Sequence, residues 1–245
     1  MSAPAARVAL VTGGVRGIGR AVVAALVSDG WLVAFTYRND HAAARALEAE
    51  HPGQARGFTL DLRDRDRPDA LVREVTAALG PITGLVNNAG VRHDSLLAMT
   101  PDADWDAVQE INAGGAFRCC RAVLPGMTAQ RHGAIVNISS LAAVSGFAGQ
   151  SAYAASKAAL IGMSRSLARE MGKRRVRVNV VVPGFVPTDM TAVMPDAVRI
   201  ELRDLECLPD GTTADDVAAA VTFLLSDKAK AITGQVVAVD AGSSA

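Results

Sequence analysis

The chain has 245 residues, of which half are apolar and 20% are charged, and its 25 basic and 25 acidic side chains balance. A chain of this length buries roughly 70–75% of its unfolded surface, enough for one substantial core. Zero net charge argues against nucleic acid and anionic membranes as partners, because both need a basic surface, although it leaves room for a local basic patch. No metal site is expected.

The cysteines indicate a reducing compartment, and the apolar segments indicate neither a signal peptide nor a membrane span. Cys119, Cys120 and Cys207 are odd in number, two of them are adjacent, and no C-x-x-C pair exists, so a disulfide framework is not expected. The N-terminus runs directly into an apolar segment and a glycine turn, without the layout of a signal peptide. The longest charge-free stretch, 132–156, contains Asn137, several serines and three glycines, which excludes a membrane span. We expect a cytoplasmic protein.

Short apolar, β-branched runs recur along the chain and predict strands. They lie at 7–12, 31–37, 54–60, 84–87, 134–139, 176–182 and 235–239. Each run is continuously apolar rather than alternating, which is typical of strands that are covered on both faces.

Longer segments with helical periodicity lie between these runs. They lie at 18–29, 42–50, 68–79, 102–127, 151–171 and 213–225. Ile18, Val22 and Leu26 share one face of the first, and Pro68 and Thr213 are typical helix starts. The alternation predicts an α/β fold, with a doubly wound parallel sheet of about seven strands and helices on both faces. Because no linker, repeat or low-complexity block interrupts the chain, we expect a single domain over 1–245, with a lid at 188–211.

A glycine-rich turn follows the first predicted strand. The sequence TGGVRGIG at 12–19 leads directly into a helix, and its spacing is G-x-x-x-G-x-G rather than G-x-G-x-x-G. Glycines permit a tight turn and a close approach of the backbone to a pyrophosphate, and the helix N-terminus attracts the phosphates. An ordinary turn is the alternative, but the strand–turn–helix context favours a dinucleotide site. The candidate residues are Gly13, Arg16, Gly17, Ile18 and Gly19.

The end of the second predicted strand indicates which dinucleotide binds. A fold that prefers NAD places an acid there for the ribose hydroxyls, about 20 residues after the glycines. Here position 37 is a tyrosine, and Arg38 follows it. Together with Arg16, it offers two guanidinium groups that suit a 2′-phosphate, which favours NADP(H). In the alternative reading both arginines are solvated and Asp40 contacts the ribose.

A tyrosine and a lysine one helical turn apart form the candidate catalytic pair. Tyr153 and Lys157 are four residues apart on the helix predicted at 151–171, and Ser140 lies 13 residues before the tyrosine. A nearby cation lowers the tyrosine pKa from about 10 and makes the phenol a usable general acid or base. The alternative is a half-buried tyrosine beside a solvated lysine. The glycine turn upstream favours the catalytic pair.

In this order the motifs resemble the short-chain dehydrogenase/reductase family across essentially the whole chain. They are TGGVRGIG at 12–19, NNAG at 87–90, Asn112, Ser140, Tyr153, Lys157 and PGFVPT at 183–188. The resemblance implies that Tyr153 donates the proton and that Ser140 orients the carbonyl. It also implies that Lys157 holds the nicotinamide ribose and lowers the tyrosine pKa, while Asn112 supports a water-linked proton relay with Lys157.

The resemblance also implies contacts for cofactor and substrate. Asp61 and Leu62 would contact the adenine, Asn88, Ala89 and Gly90 would line the cleft, and Pro183, Gly184, Val186 and Thr188 would meet the nicotinamide. The substrate would contact Ser140, Phe147, Gln150 and Tyr153. The alternatives are that NNAG is a strand-end turn and that Asp61 caps a helix.

Within the family the chain is most similar to 3-oxoacyl-(acyl-carrier-protein) reductases and related polyketide ketoreductases. This resemblance implies a homotetramer formed through the two long helices, and docking of an acidic carrier protein at Arg131 and Arg174; a solvated helix end also explains these arginines. Apolar lid residues can grip an acyl chain or can simply be core. They are Met190, Met194, Leu202 and Leu205.

Three stretches depart from this subgroup near the expected substrate mouth. They are Arg92-His93-Asp94 where the subgroup has Thr-Arg-Asp, Pro209-Asp210-Gly211-Thr212, and Asp240-Ala241-Gly242. The first hypothesis is an NADPH-dependent reductase of carrier-bound 3-oxoacyl chains. The second is a ketoreductase or alcohol dehydrogenase that acts on a diffusible substrate. A non-catalytic NADP-binding regulator is the third, and it is disfavoured because all four catalytic positions are present.

Overall fold

The computed structural model describes residues 7–192 and 194–245. Two parts of the predicted domain lie outside the described residues: its first six residues, 1–6, and position 193 in the predicted lid. Seven parallel strands form one sheet in the order β3-β2-β1-β4-β5-β6-β7. They are β1 Val8–Val11, β2 Leu32–Tyr37, β3 Ala55–Thr59, β4 Ile82–Asn87, β5 Gly133–Ile138, β6 Val176–Pro183 and β7 Val236–Val239. The predicted α/β fold is confirmed.

Nine α-helices accompany the sheet in the described part of the chain. They are α1 Gly17–Ser28, α2 His41–Glu50, α3 Arg67–Leu79, α4 Asp102–Gln109, α5 Gly115–Gln130, α6 Ser151–Met171, α7 Asp189–Ala192, α8 Asp196–Asp204 and α9 Ala214–Leu225. Thr213 caps α9 through a reciprocal pair of hydrogen bonds with Asp216, as the sequence signal for a helix start requires. None of the helices described is long and apolar enough to cross a membrane.

Both faces of the sheet are covered, which explains the continuously apolar strands. Successive side chains of a strand point to opposite faces. In β1, Ala9 and Val11 therefore join one core with α1 and α9, whereas Val8 and Leu10 join the other with α3, α5 and α6. All four residues have no exposed surface.

The helix predicted at 102–127 is divided in the structure. A π-helical segment, Glu110–Gly114, separates α4 from α5, and α5 continues to Gln130. Asn112 lies in this segment, and such insertions often mark functional sites. The predicted lid also contains two short helices, α7 and α8, which the sequence does not predict. Pro195 marks the start of α8.

The strand order determines where the sheet can form a binding crevice. The sequence moves outward from β1 to β3 and then returns to β4 on the other side of β1. Where the order reverses, the loops that follow adjacent strands separate and leave a crevice at the carboxyl ends of the strands. The glycine turn after β1, the NNAG motif after β4 and Ser140 after β5 all lie at this edge.

Candidate active site

A cavity of about 470 Å³ opens at the carboxyl edge of the sheet. The predicted residues that line it are Gly13, Arg16, Gly17, Ile18, Arg38, Asp61, Leu62, Asn88, Ala89, Gly90, Ser140, Phe147, Gln150, Tyr153, Lys157, Pro183, Gly184, Val186 and Thr188. Gly19 and Asn112 are buried behind its wall, and Arg131 and Arg174 lie elsewhere. Residues far apart in sequence thus converge on one site.

The glycine turn is held by close packing and by one asparagine. Gly13 and Gly17 have φ of 68° and 51°, values that glycine adopts without strain. A Cβ at Gly19 would lie 2.1 Å from the Gly13 carbonyl oxygen, so the role of Gly19 is to let helix and turn meet. Asn88 Nδ2 donates to the carbonyl oxygens of Thr12 and Gly13, both at 3.0 Å.

This turn fits the diphosphate of a dinucleotide. α1 begins at the turn, and the side chain at its N-cap, Arg16, accepts no hydrogen bond from the first-turn N–H groups. Those N–H groups and the positive end of the helix dipole are thus available to an anion that binds at this position. The donor set therefore suits a phosphate.

The surroundings of the residues after β2 bear on two alternatives: a 2′-phosphate bound by Arg16 and Arg38, or a ribose bound by Asp40. Asp40 lines the cavity, and its Oδ1 accepts the N–H of Ala43 at 2.9 Å and caps α2. Arg16 and Arg38 are exposed at the cavity, and neither has a carboxylate within 4.0 Å among residues 7–192 and 194–245. The arrangement favours a 2′-phosphate over a ribose contact by Asp40.

Asp61 lines the cavity beside the second-strand end. Arg63 Nη2 donates to Asp61 Oδ2 at 2.5 Å, and this hydrogen bond is the main reason that the pKa of Asp61 falls to about 2. Asp66, not Asp61, occupies the N-cap position of α3. The helix-cap alternative for Asp61 is therefore wrong.

Tyr153 and Lys157 lie on the first two turns of α6, and both are buried, with 9% and 3% of their surface exposed. Lys157 Nζ donates to the Ile138 carbonyl oxygen at 2.8 Å and lies 5.8 Å from the centre of the Tyr153 ring. Ser140 Oγ accepts the N–H of Ala142 at 3.2 Å, which leaves the hydroxyl proton free for another acceptor. The lysine is thus a buried cation, not a solvated one.

The pKa values differ from the sequence expectation in one respect. Burial raises the pKa of Tyr153, while the Ser140 hydrogen bond and the charge of Arg92 oppose this rise. The net direction is therefore opposite to the predicted lowering by Lys157, whose ammonium donates to the Ile138 carbonyl. Burial lowers the pKa of Lys157 itself to about 8.

Asn112 connects the loop after β4 to the catalytic helix. Its Oδ1 accepts the N–H of Val91 at 2.8 Å, and its Nδ2 donates to the Val91 carbonyl and to Ser156 Oγ, both at 2.9 Å. Ser156 Oγ in turn donates to the Tyr153 carbonyl at 2.7 Å. A Cβ added at Gly90 would lie 3.0 Å from Asn112 Oδ1 and 3.4 Å from Lys157 Nζ, so the two predicted relay partners flank the same glycine.

Sequence reasoning missed a series of hydrogen-bonded polar side chains that is buried beneath the site. Asn87 Nδ2 donates to Asn137 Oδ1, and Asn137 Nδ2 donates to Ser164 Oγ, both at 2.7 Å. The first asparagine of NNAG therefore ties β4, β5 and α6 together and does not line the cavity. The available signal was an asparagine inside each of two apolar strands, since a buried polar group needs a partner.

Arg92 and apolar residues of the predicted lid also line the cavity. Arg92 lines the wall near Tyr153 with its side chain 11% exposed. Of the four apolar lid residues, Met190, Met194 and Leu202 line the cavity, whereas Leu205 does not line it and is 45% exposed.

The two predicted docking arginines lie together, but not at the cavity. Arg131 ends α5 and donates to the Lys173 carbonyl at 3.3 Å, so it adjoins the turn that contains Arg174. These residues precede β5 and β6, whereas the cavity lies where the strands end. A strand of six residues is roughly 20 Å long, so about that distance separates the two edges.

Comparison with known proteins identifies the family. A family model described as "Enoyl-(Acyl carrier protein) reductase" matches residues 13–244. The chain belongs to the short-chain dehydrogenase/reductase family. This confirms the resemblance and the predicted enzyme class, an oxidoreductase.

Similar proteins match along almost their full length. The 3-oxoacyl-(acyl-carrier-protein) reductase FabG of Staphylococcus aureus is 39% identical over 239 residues, and that of Escherichia coli is 40% identical over 238 residues; both alignments cover 96% of each chain. The crystal structure of a blue fluorescent protein from a metagenomic library, in complex with NADPH, superposes with a TM-score of 0.90. It is 37% identical, and the match covers 98% of each chain.

Proposed function

We propose that the chain is an NADPH-dependent ketoreductase that reduces a 3-oxoacyl thioester on acyl carrier protein to the 3-hydroxyacyl form. The observation that carries the proposal is the pair of hydroxyls, Ser140 and buried Tyr153, beside Lys157 in a cavity that begins at a phosphate-binding turn. The 39–40% identical relatives named for this reaction support it.

The residues fit NADP(H), the cofactor of the similar blue fluorescent protein. The turn at Gly13–Gly19 would hold the diphosphate, Arg16 and Arg38 the 2′-phosphate, and Lys157 the nicotinamide ribose. When bound, the reduced nicotinamide supplies a hydride to the substrate carbon. The protein then has to orient the carbonyl, stabilise the oxygen on which charge develops, and protonate it.

Ser140 and Tyr153 provide these functions at one oxygen. The Ser140 hydroxyl donates a hydrogen bond that orients the carbonyl, and the Tyr153 phenol transfers its proton to the same oxygen. Because burial raises its pKa, Tyr153 stays protonated at neutral pH, the state that a proton donor needs. Asn112 positions the catalytic helix, and its place beside Lys157 supports the relay that the family resemblance implies.

Ketone reduction fits the site better than reduction of a carbon–carbon double bond, the reaction named in the family model's description. Hydride addition to a ketone places the negative charge on the oxygen of the reacting carbon itself, where Ser140 and Tyr153 can act together, whereas addition to a 2-enoyl thioester places it on the thioester oxygen, two bonds further from the carbon that accepts the hydride. We therefore expect turnover with 3-oxobutanoyl thioesters and none with the corresponding 2-butenoyl thioesters.

Tyr153→Phe tests the chemistry. The variant keeps the ring but lacks the transferable proton, so kcat falls about 10²- to 10⁴-fold, the usual contribution of a general acid, while NADPH binding is retained. NADPH oxidation and a fluorescence titration measure the two properties. Wild-type turnover in the variant would refute the assignment.

The chain folds around this site as one domain, with 188–211 as its lid. Met190, Met194 and Leu202 offer the acyl chain an apolar wall. A homotetramer and a cytoplasmic location remain predictions.

The basic cluster Arg131, Lys173, Arg174 and Arg175 would attract an acidic carrier. The double variant Arg131→Ala/Arg174→Ala tests this with a carrier-bound substrate and the same acyl group on N-acetylcysteamine. We expect KM to rise for the carrier-bound substrate alone. Equal KM changes for both substrates would remove these arginines from the proposal.

The second candidate is a ketoreductase for a diffusible substrate. It is favoured by the Arg92–Asp94 ion pair, which lies in a stretch where the sequence departs from the pattern of the subgroup that it resembles. Comparison of a carrier-bound 3-oxoacyl group with small free ketones separates the two functions. If the carrier-bound substrate is reduced no better than the ketones, the second function is correct.

A further inference from the structure

Arg92 brings a guanidinium group to the substrate side of the cavity. Its side chain is 11% exposed, and it lines the same cavity as Ser140 and Tyr153. Arg92 follows Gly90 by two residues, and a Cβ added at Gly90 would lie 3.4 Å from Lys157 Nζ, so the loop that carries Arg92 lies beside the Tyr153–Lys157 pair. The phosphate-binding arginines, Arg16 and Arg38, belong to the glycine-turn end.

The backbone next to Arg92 is fixed relative to the catalytic helix. Asn112 holds both the N–H and the carbonyl of Val91, and it donates to Ser156 on α6. Ser156 is bonded to the Tyr153 carbonyl. The loop that carries Arg92 and the helix that carries Tyr153 therefore share one hydrogen-bonded support.

The guanidinium retains donors that the described residues do not use. Its recorded ion pair joins Nε to Asp94 Oδ1 at 3.0 Å, and the Asp94 side chain is 42% exposed. Among residues 7–192 and 194–245, the two terminal nitrogens of Arg92 donate to no protein acceptor within hydrogen-bond distance. The guanidinium presents these N–H groups as a planar fork suited to carbonyl and carboxylate oxygens.

We propose that Arg92 determines specificity by binding a second substrate oxygen, the C1 oxygen of a 3-oxoacyl thioester or 3-oxo acid. The C3 ketone then lies between Ser140 and Tyr153. This inference rests on the proposed function, since it needs the ketone in that position. Only one methylene separates C1 from C3 in such a substrate, so the second oxygen lies next to the catalytic hydroxyls, as Arg92 does.

A pair of substrates that differ in one oxygen tests the proposal. The first is the 3-oxobutanoyl thioester of N-acetylcysteamine, and the second is the matching thioether, in which a methylene replaces the C1 carbonyl. Both retain the ketone. Steady-state kcat/KM with NADPH is measured for wild type, Arg92→Met and Arg92→Lys, with Arg73→Met on the exposed face of α3 as the matched control.

We expect Arg92→Met to lower kcat/KM for the thioester about 10- to 100-fold, the range of a charge-assisted hydrogen bond. The thioether should change less than about threefold, so that the ratio isolates the coupling between Arg92 and the oxygen. Arg92→Lys keeps the charge but loses the fork, and should lie between wild type and Arg92→Met. Arg73→Met should match wild type with both substrates.

Acetoacetate, the free 3-oxo acid, identifies the source of the oxygen. A loss in Arg92→Met confined to acetoacetate assigns the site to a carboxylate, and a loss confined to the thioester assigns it to a thioester carbonyl; both outcomes support the proposal. Equal losses for the thioester and the thioether, or no loss for any substrate, overturn it. If wild type reduces no ketone at all, the proposed function fails instead.

The NADPH dissociation constant and the thermal midpoint report whether the variants keep their fold and cofactor site. If Arg92→Met does not fold, Arg92→Lys decides the question. A selective loss with the thioester in that variant supports the proposal, and its absence overturns it.

Discussion

Replacing Gly19 with alanine should disrupt the glycine turn that is proposed to hold the diphosphate. A Cβ at this position would lie 2.1 Å from the Gly13 carbonyl oxygen and 2.5 Å from Asn88 Nδ2. Ordinary contacts of a Cβ are at least 3.4 Å, so the turn or α1 has to move by more than 1 Å. That movement also strains the two bonds by which Asn88 holds the turn.

The expected size of the effect follows from overpacking. Insertion of a methyl group into a closely packed site costs about 1–3 kcal/mol, and rigid backbone contacts place Gly19 near the upper end. For a domain of this size, about 3 kcal/mol lowers Tm by roughly 6–12 °C. Loss of one charge-assisted phosphate contact weakens NADPH binding at least about tenfold.

Gly162→Ala provides the matched control. Gly162 lies within α6, and a Cβ built there meets no atom within 4 Å. Alanine should stabilise this helix by about 0.5–1 kcal/mol and leave NADPH affinity unchanged. Calorimetry and a fluorescence titration of both variants measure the effects. A Gly19→Ala protein with wild-type Tm and wild-type NADPH affinity would refute the reasoning.

Two further predictions concern charge. Arg16→Ala/Arg38→Ala should weaken NADPH binding about 10- to 100-fold and leave NADH binding nearly unchanged, because only NADPH carries the 2′-phosphate; equal losses in the two titrations would contradict that role. Burial lowers the pKa of Lys157 to about 8 from its usual 10.5, so the unfolded chain binds more protons than the folded chain between these two pH values. Stability should therefore rise with pH from about 8 to 10.5, by up to about 3 kcal/mol, and this rise should be absent in Lys157→Met. Urea unfolding of both proteins across this pH range measures it, and parallel curves would contradict it.

The sequence was most informative where local spacing determines geometry. Tyr153 and Lys157 share a helix face because they are four residues apart, and the glycine turn needs its glycines wherever a strand runs directly into a helix. Continuously apolar strands indicated a sheet covered on both faces, and the two cores on either side of β1 show why.

The features that the sequence missed depend on contacts between distant segments. The π-helical segment at Glu110–Gly114 holds Asn112, whose amide bonds to Val91, 21 residues earlier, and to Ser156, 44 residues later. The direction of the Lys157 ammonium is set by the Ile138 carbonyl at the end of β5. Helical periodicity carries no information on such partners, so it predicted an uninterrupted helix at 102–127 and indicated no hydrogen-bond partner for the lysine.

Zero net charge excluded broad basic surfaces, yet it did not describe the individual sites. At physiological ionic strength the field of an exposed charge is screened over about 8 Å, so separated clusters act independently and their sum says little about any of them. Arg16 and Arg38 line the cavity at the glycine turn and the end of β2, Arg92 lines it from the loop after β4 and is paired with Asp94, and Arg131 lies at the opposite edge of the sheet. A partner therefore meets the charge of one cluster, and each cluster requires a test with its own ligand: a 2′-phosphate, a substrate oxygen and an acidic protein.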